Sequence, residues 1–421
     1  MLSTIDTLKQ DQRILRSLAQ RWMELACLPV MAERKRLWTA LKDLRAERPM
    51  VLFETWTLED YVDPVELECD DLLLREVELS MRRAIRQVEE IGDDMVLEPV
   101  FRLRWVIHAN DYGVPIQAEH AVDERGGEVG YHYLNPIQSA QDISRLRPRT
   151  FQVDRQETQR RLTLLQDAFG DVLPVALHGV SSFLAALTSD LFRLVGNDRL
   201  LTWTYDAPEA LHQVMAYLRD DRLAYYTWLE REGLLGLNNT SELVGSGSPG
   251  FTTTLPADEY AGQARLKDLW IWMESQETTM ISPRMFARLF LPYMAEVSRL
   301  FGLVYYGCCE PVHDRWEHII QAIPNIRAVS ISPWCNQAAI AEKLGKHYVF
   351  SRKPRPWPIS GANPEWETLS QDLDETLSAG RDCNLEIIYR DVYRIDGDRP
   401  RLRRWVELVC SRIGGGMGEG F

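Results

Sequence analysis

Phe301–Cys335, FGLVYYGCCEPVHDRWEHIIQAIPNIRAVSISPWC, holds two strand-like runs with one helix-like run between them. Gly302–Tyr306 is short, apolar and rich in β-branched and aromatic residues, the pattern of a buried strand. It stops at Gly307 and is followed by Cys308, Cys309 and Glu310. A helix over His313–Ala322 comes next, then a second strand over Arg327–Ser332 and a third cysteine at Cys335. Sulfur and carboxylate groups therefore fall just past the C-terminal ends of two successive strands. In a parallel α/β barrel that end is the one that carries functional side chains.

Working outward, the region from residue 96 onward repeats this unit. Strand candidates begin near residues 98, 172, 234, 268, 303, 326, 347 and 384, and most are followed by a helical pattern. Asp206, ahead of Pro208, is expected to cap the long helix that ends at Gly233, and Ser282 precedes Pro283 in the same way. Eight strands alternating with helices imply a parallel sheet, and the count predicts an α/β fold of the (β/α)8 TIM barrel type over residues 95–421. Residues 1–94 read as an N-terminal helical extension, broken by the apolar piece VLFETWT (51–57). Residues 109–150 show no clear periodicity and read as a long loop. The Ser/Thr/Gly-rich stretch 239–258 reads as a mobile loop and a candidate lid.

Composition narrows the function classes. A net charge of −14 over 421 residues argues against non-specific binding to nucleic acid or an anionic membrane, both of which need basic patches. No run reaches the roughly 18 apolar residues of a membrane span, and the N-terminus lacks a signal-peptide core. Seven cysteines, two of them adjacent, fit free thiols or metal ligands in a reducing cytoplasm better than a disulfide framework. A small-molecule substrate and a homodimer are both compatible with this composition.

The segments DAPEALHQVMAYLRD, ISPRMFARLFLPYM, LVYYGCCE, IPNIRAVSIS and DVYRIDGDRPRLRRWVE, in that order, resemble the uroporphyrinogen decarboxylase superfamily over roughly residues 170–413. That superfamily includes the decarboxylase and zinc-dependent methyltransferases acting on corrinoid proteins or coenzyme M. The resemblance implies a barrel and, for a methyltransferase, zinc held by a His-x-Cys at a strand end and a later cysteine. Here the cysteine carries over onto Cys309, but Cys308 and Gly307 precede it and the histidine does not carry over. Cys383 suits the later position by spacing, yet it begins its strand, a whole strand length from the rim. The decarboxylases' arginine-rich first-strand loop has no match in FRLRWVIHAND (101–111).

Candidate ligands on the expected rim are Cys308, Cys309, Glu310, Cys335 and Glu274. Neighbouring side chains on extended backbone point opposite ways, which favours Cys309 with Glu310 or Cys335, plus Glu274 or Glu277. Glu274, Glu310 and His178 are the catalytic candidates. Arg102, Arg104, Gln276, Tyr306, Trp334 and Lys353 are the substrate-binding candidates. The resulting expectation is a zinc-dependent methyltransferase that moves a methyl group between a small substrate and a thiol or a corrinoid carried by a partner protein. The alternative is a metal-free decarboxylase (a lyase) that grips a polycarboxylate with Arg102, Arg104, Arg352, Lys353 and Arg355.

Overall fold

The computed structural model describes residues 4–122 and 128–414. In chain order its strands are β1 (Met50–Phe53), β2 (Phe101–Arg104), β3 (Val106–Ala109), β4 (Gln117–Val122), β5 (Glu128–Leu134), β6 (Phe151–Asp154), β7 (Val175–His178) and β8 (Leu184–Ala185). The second half holds β9 (Leu243–Gly245), β10 (Ser248–Pro249), β11 (Trp270–Met273), β12 (Leu303–Tyr306), β13 (Ile326–Ile331), β14 (Val349–Arg352) and β15 (Asn384–Tyr389). Seven of them form one sheet in the order β1-β15-β14-β13-β12-β11-β8, and every pairing in it is parallel.

Both faces of this sheet are covered, as a parallel sheet requires. Val51, Phe53, Ile271, Met273, Val304, Tyr306, Ile331, Phe350, Ile387 and Tyr389 join the larger core that includes the surrounding helices. Met50, Leu52, Trp270, Leu303, Tyr305, Ala328, Val349 and Ile388 face the other way into a smaller apolar cluster. The period of two along each strand then sets the next side chains on that inner face: Glu54, Glu274, Lys353, Glu386 and Arg390. Helix α1 (Thr4–Ala26) packs against α3 (Leu72–Arg86). Between them, α2 (Pro29–Lys42) starts with proline in its first turn and sends Leu37, Trp38 and Leu41 into the inner cluster.

Seven of the eight expected strands are present, and the exception is instructive. Around 234–238 a single parallel bridge joins Val180 to Leu235. The amide of Asn238 then does the work of a ladder, donating to the carbonyls of Ser181 and Trp270 and accepting from the Trp270 N–H at 2.9 Å. The strand expected over 96–108 is divided: β2 pairs in parallel with β7, whereas β3 turns away to pair antiparallel with β6. The 109–150 region is not one loop, because β4 and β5 pair within it.

Three further expectations need correcting. The apolar piece inside 1–94 is a sheet strand, β1, paired in register with Glu386–Tyr389. Four residues were too few to show a period against the helices on either side. The proposed lid is a buried plug: Val244 through Thr252 are all buried, and β9 and β10 form a tight hairpin there. A Cβ on Gly245 would lie 2.1 Å from the Tyr305 ring, and one on Gly250 would lie 1.9 Å from the Asn238 carbonyl oxygen. Glycine and serine occur in this stretch because backbone must pass close to other chain. The long helix also begins differently: it spans Pro208–Arg231, with Ala207 at its cap and no capping side chain.

The eight-stranded ring is not completed by hydrogen bonds. Among the described residues no ladder joins β1 to β2. The free edge of β1 is met instead by acidic side chains: Asp94 accepts from the Val51 N–H and Asp93 from the Phe53 N–H. No helix of the described residues is long and apolar enough to cross a membrane.

Candidate active site

The carboxyl ends of the sheet strands carry most of the ionisable groups predicted from sequence. Glu274, Gln276 and Glu277 follow β11, Cys308, Cys309 and Glu310 follow β12, Lys353 follows β14, and Arg390 and Asp391 follow β15. β1 adds Glu54, which sequence reasoning missed. The signal was present: VLF-Glu54 repeats the pattern of an apolar run ending in a carboxylate, as WIWM-Glu274 does.

Glu274 is only 3% exposed. Burial raises its pKa well above the ordinary carboxyl range, and the neighbouring Glu277, Glu310 and Cys309 raise it further. Its Oε2 accepts the Gln276 N–H at 2.9 Å. Such an environment favours the protonated carboxyl and suits it to donate a proton. Glu277 is tied elsewhere, accepting from the Thr188 hydroxyl at 2.7 Å.

Glu310 is 1% exposed and both of its oxygens are engaged. Oε1 accepts the Ser275 N–H and Oε2 the Cys308 N–H, each at 2.9 Å. It therefore fixes the two strand-end loops to each other. Its pKa is raised, mainly by burial. Cys308 and Cys309 lie side by side, sulfur to sulfur 3.7 Å. Contact with Cys308 lowers the Cys309 pKa and raises that of Cys308, which makes Cys309 the more acidic thiol of the two.

Cys335 is turned away from this group. Its sulfur accepts the Val312 N–H at 3.3 Å and lies 3.6 Å from His313 Nδ1. Cys383 opens β15 as expected, its sulfur 3.8 Å from the Ala341 carbonyl oxygen. All seven cysteines are unpaired. Among the described residues no three His, Cys, Asp or Glu side chains are arranged to hold a metal ion. The expected ligand set Cys308, Cys309, Glu310, Cys335 and Glu274 is thus not gathered around one point: Cys335 faces His313, and Glu310 spends both oxygens on backbone donors.

His178 also stands apart. It ends β7, its Nε2 is buried without a partner, and burial lowers its pKa. The charges acting most on it come from Glu242, Arg102 and Arg104, not from Glu274 or Cys309. Arg102 is paired with Glu98 at 2.8 Å and Arg104 with Glu242 at 2.9 Å. Tyr306 faces the helices from the outer side of the sheet, and Trp334 is 59% exposed on the surface.

Beneath the rim lies a buried polar chain. Lys42 donates to Glu386 Oε2 at 2.6 Å and to the Ser248 hydroxyl, which itself donates to Glu386 Oε1. Lys353 donates to the Ser351 hydroxyl at 2.5 Å, and the Tyr305 hydroxyl donates to the same oxygen at 2.8 Å. Burial pushes the Lys353 ammonium down to about 7. Arg390 donates to the Ser246 hydroxyl and lies 3.2 Å from Asp391 and 3.6 Å from Glu54.

No protein-family model and no curated protein matches this chain. Among solved structures it is similar to a methyltransferase from Methanosarcina mazei, at 10% identity over 90% of this chain and 98% of that one, with a TM-score of 0.49. A likeness that distant says nothing about activity.

Proposed function

We propose that the chain is a methyltransferase-type enzyme whose site is the Glu274–Cys309 side of the rim, with Glu274 as general acid. The observation that carries this reading is the buried, proton-holding carboxyl of Glu274 beside the more acidic thiol of the Cys308–Cys309 pair. The resemblance of residues 170–413 to the uroporphyrinogen decarboxylase superfamily supplies the reaction class.

The reaction balances without other protein groups. The methyl–heteroatom bond of the donor breaks as an external thiolate or a partner's corrinoid cobalt takes the methyl. The electron pair stays on the leaving nitrogen or oxygen, and Glu274 supplies the proton that neutralises it. Glu310 keeps the Glu274 and Cys309 loops in register.

The lyase alternative has less support. Of the five cations it would use, Arg102, Arg104 and Arg352 are already paired with Glu98, Glu242 and Asp372, which leaves Lys353 and Arg355 to hold carboxylates.

The test is methyl transfer from a panel of methylated amines and ethers to a thiol or to cob(I)alamin. Glu274→Gln should lower kcat by about a hundredfold or more and abolish the loss of rate at high pH. Carbon dioxide release from a polycarboxylate without methyl transfer would overturn the reading. So would zinc near one equivalent that is lost in Cys309→Ser, because Cys309 would then be a ligand and the chemistry would belong to the metal.

A further inference from the structure

A cavity of about 600 Å3 opens where β1 and β2 are not joined. Its wall is mixed apolar and polar and carries several aromatic rings, Trp22, Trp38, Trp56, Phe101 and Phe251 among them. Volume and lining are those of a small-molecule site. Glu54 also lines it.

Glu54 is 6% exposed, and neither carboxyl oxygen meets hydrogen-bond geometry. Burial raises its pKa while Arg390 and the nearby Trp56 side chain pull it down, so an added positive charge would favour its ionised form. The Arg390 guanidinium, at 3.6 Å, is its one ion-pair contact among the described residues. A buried carboxylate without donors carries a desolvation cost that an incoming donor would relieve. Of the other acids on the wall, Glu98 accepts from Arg102 and Ser241 and Glu242 from Arg104 and Ser181, while Glu76 is exposed to solvent. Of the two cations on the wall, Arg102 is paired with Glu98, and the terminal nitrogens of Arg83 donate to the carbonyls of Trp56 and Leu58 at 3.3 Å while its Nε is left without a partner.

We infer that this cavity binds a small organic cation with an apolar or aromatic body, its ammonium set against Glu54 and its body against the indole and phenyl walls. Aromatic faces attract such cations as well as their apolar parts. The inference does not depend on the methyl-transfer reading, and its test measures binding alone.

Calorimetric titration of the full chain with benzyltrimethylammonium and with benzoate distinguishes the charge requirement. Saturable binding of the cation and none of the anion is expected. Glu54→Gln, which keeps the side chain's shape and removes its charge, should weaken binding about tenfold. Ser80→Trp, at an exposed position of the wall, should block it. Equal binding of benzoate, no binding of the cation, or unchanged affinity in either variant would overturn the assignment.

Discussion

Glu310 joins two strand ends by accepting the backbone N–H of Ser275 at 2.9 Å through one oxygen, while its other oxygen accepts the N–H of Cys308. The loop that presents Glu274 and the loop that presents Cys309 are thereby one unit. Replacing Glu310 with alanine leaves two buried donors unpaired. The expected loss is about 1–3 kcal/mol for each, measured by urea unfolding. A variant as stable as the parent would show that water or backbone movement satisfies both donors and that the clasp is incidental.

Lys42 and Glu386 form an ion pair with neither side chain exposed. Burial disfavours the charged lysine, and the pair survives because the partner and Ser248 supply the missing contacts. Lys42→Met strands a buried carboxylate and should cost about 3–5 kcal/mol. Adding Glu386→Met to that variant should restore much of the loss, since two apolar residues of similar volume need no desolvation. If the single variant unfolds at the same denaturant concentration as the parent, α2 does not depend on this pair for its seat under the sheet.

Most of the sheet could be read from sequence because buried parallel strands are short apolar runs closed by glycine or by polar groups. β11, β12, β13, β14 and β15 all match that description. β1 did not stand out, being four residues long and flanked by helices. The plug at 244–252 was misread because glycine and serine mark close backbone approach as readily as they mark mobility, and only the Tyr305 ring distinguishes the two. Cys309, Glu310 and Glu274 were correctly placed at strand ends. Side-chain direction beyond the strand end was not legible: turn geometry aims Cys335 at His313, and parity puts Tyr306 outside and Tyr305 inside. Glu54 needed tertiary pairing before its position on the rim could be seen.

Asp93 reports on pH. It accepts from the Phe53 N–H, the Gln87 side chain and the Met95 N–H, yet full burial raises its pKa from 3.8 to about 6. The folded chain therefore holds this proton more tightly than the unfolded chain does. The sign follows: Asp93's contribution is most favourable below about pH 4 and is lost as pH rises through about 6. A difference of about two pH units, at roughly 1.4 kcal/mol each, makes the loss about 3 kcal/mol. Asp93→Asn should remove that slope. The quantity to compare is the change in unfolding free energy between pH 4 and 7, because the amide also changes the local hydrogen bonds at every pH. Parallel pH curves for parent and variant would mean that the Asp93 carboxyl ionises in the fold as easily as in water.

Gly245 tests whether the 244–252 segment is plug or lid. A methyl group there would sit 2.1 Å from two atoms of the Tyr305 ring and 2.7 Å from Tyr305 Cβ, which cannot swing aside as a flexible chain end could. Tyr305 is itself fixed by its hydrogen bond to Ser351 and by burial in the inner cluster. Gly245→Ala should therefore cost about 1–3 kcal/mol, the range for overpacking a filled core. Gly130 in β5 has open space around its would-be Cβ, so Gly130→Ala should stay within about 0.5 kcal/mol of the parent. A mobile lid would accept the Gly245 methyl by lifting off Tyr305, and the two alanine variants would then unfold together.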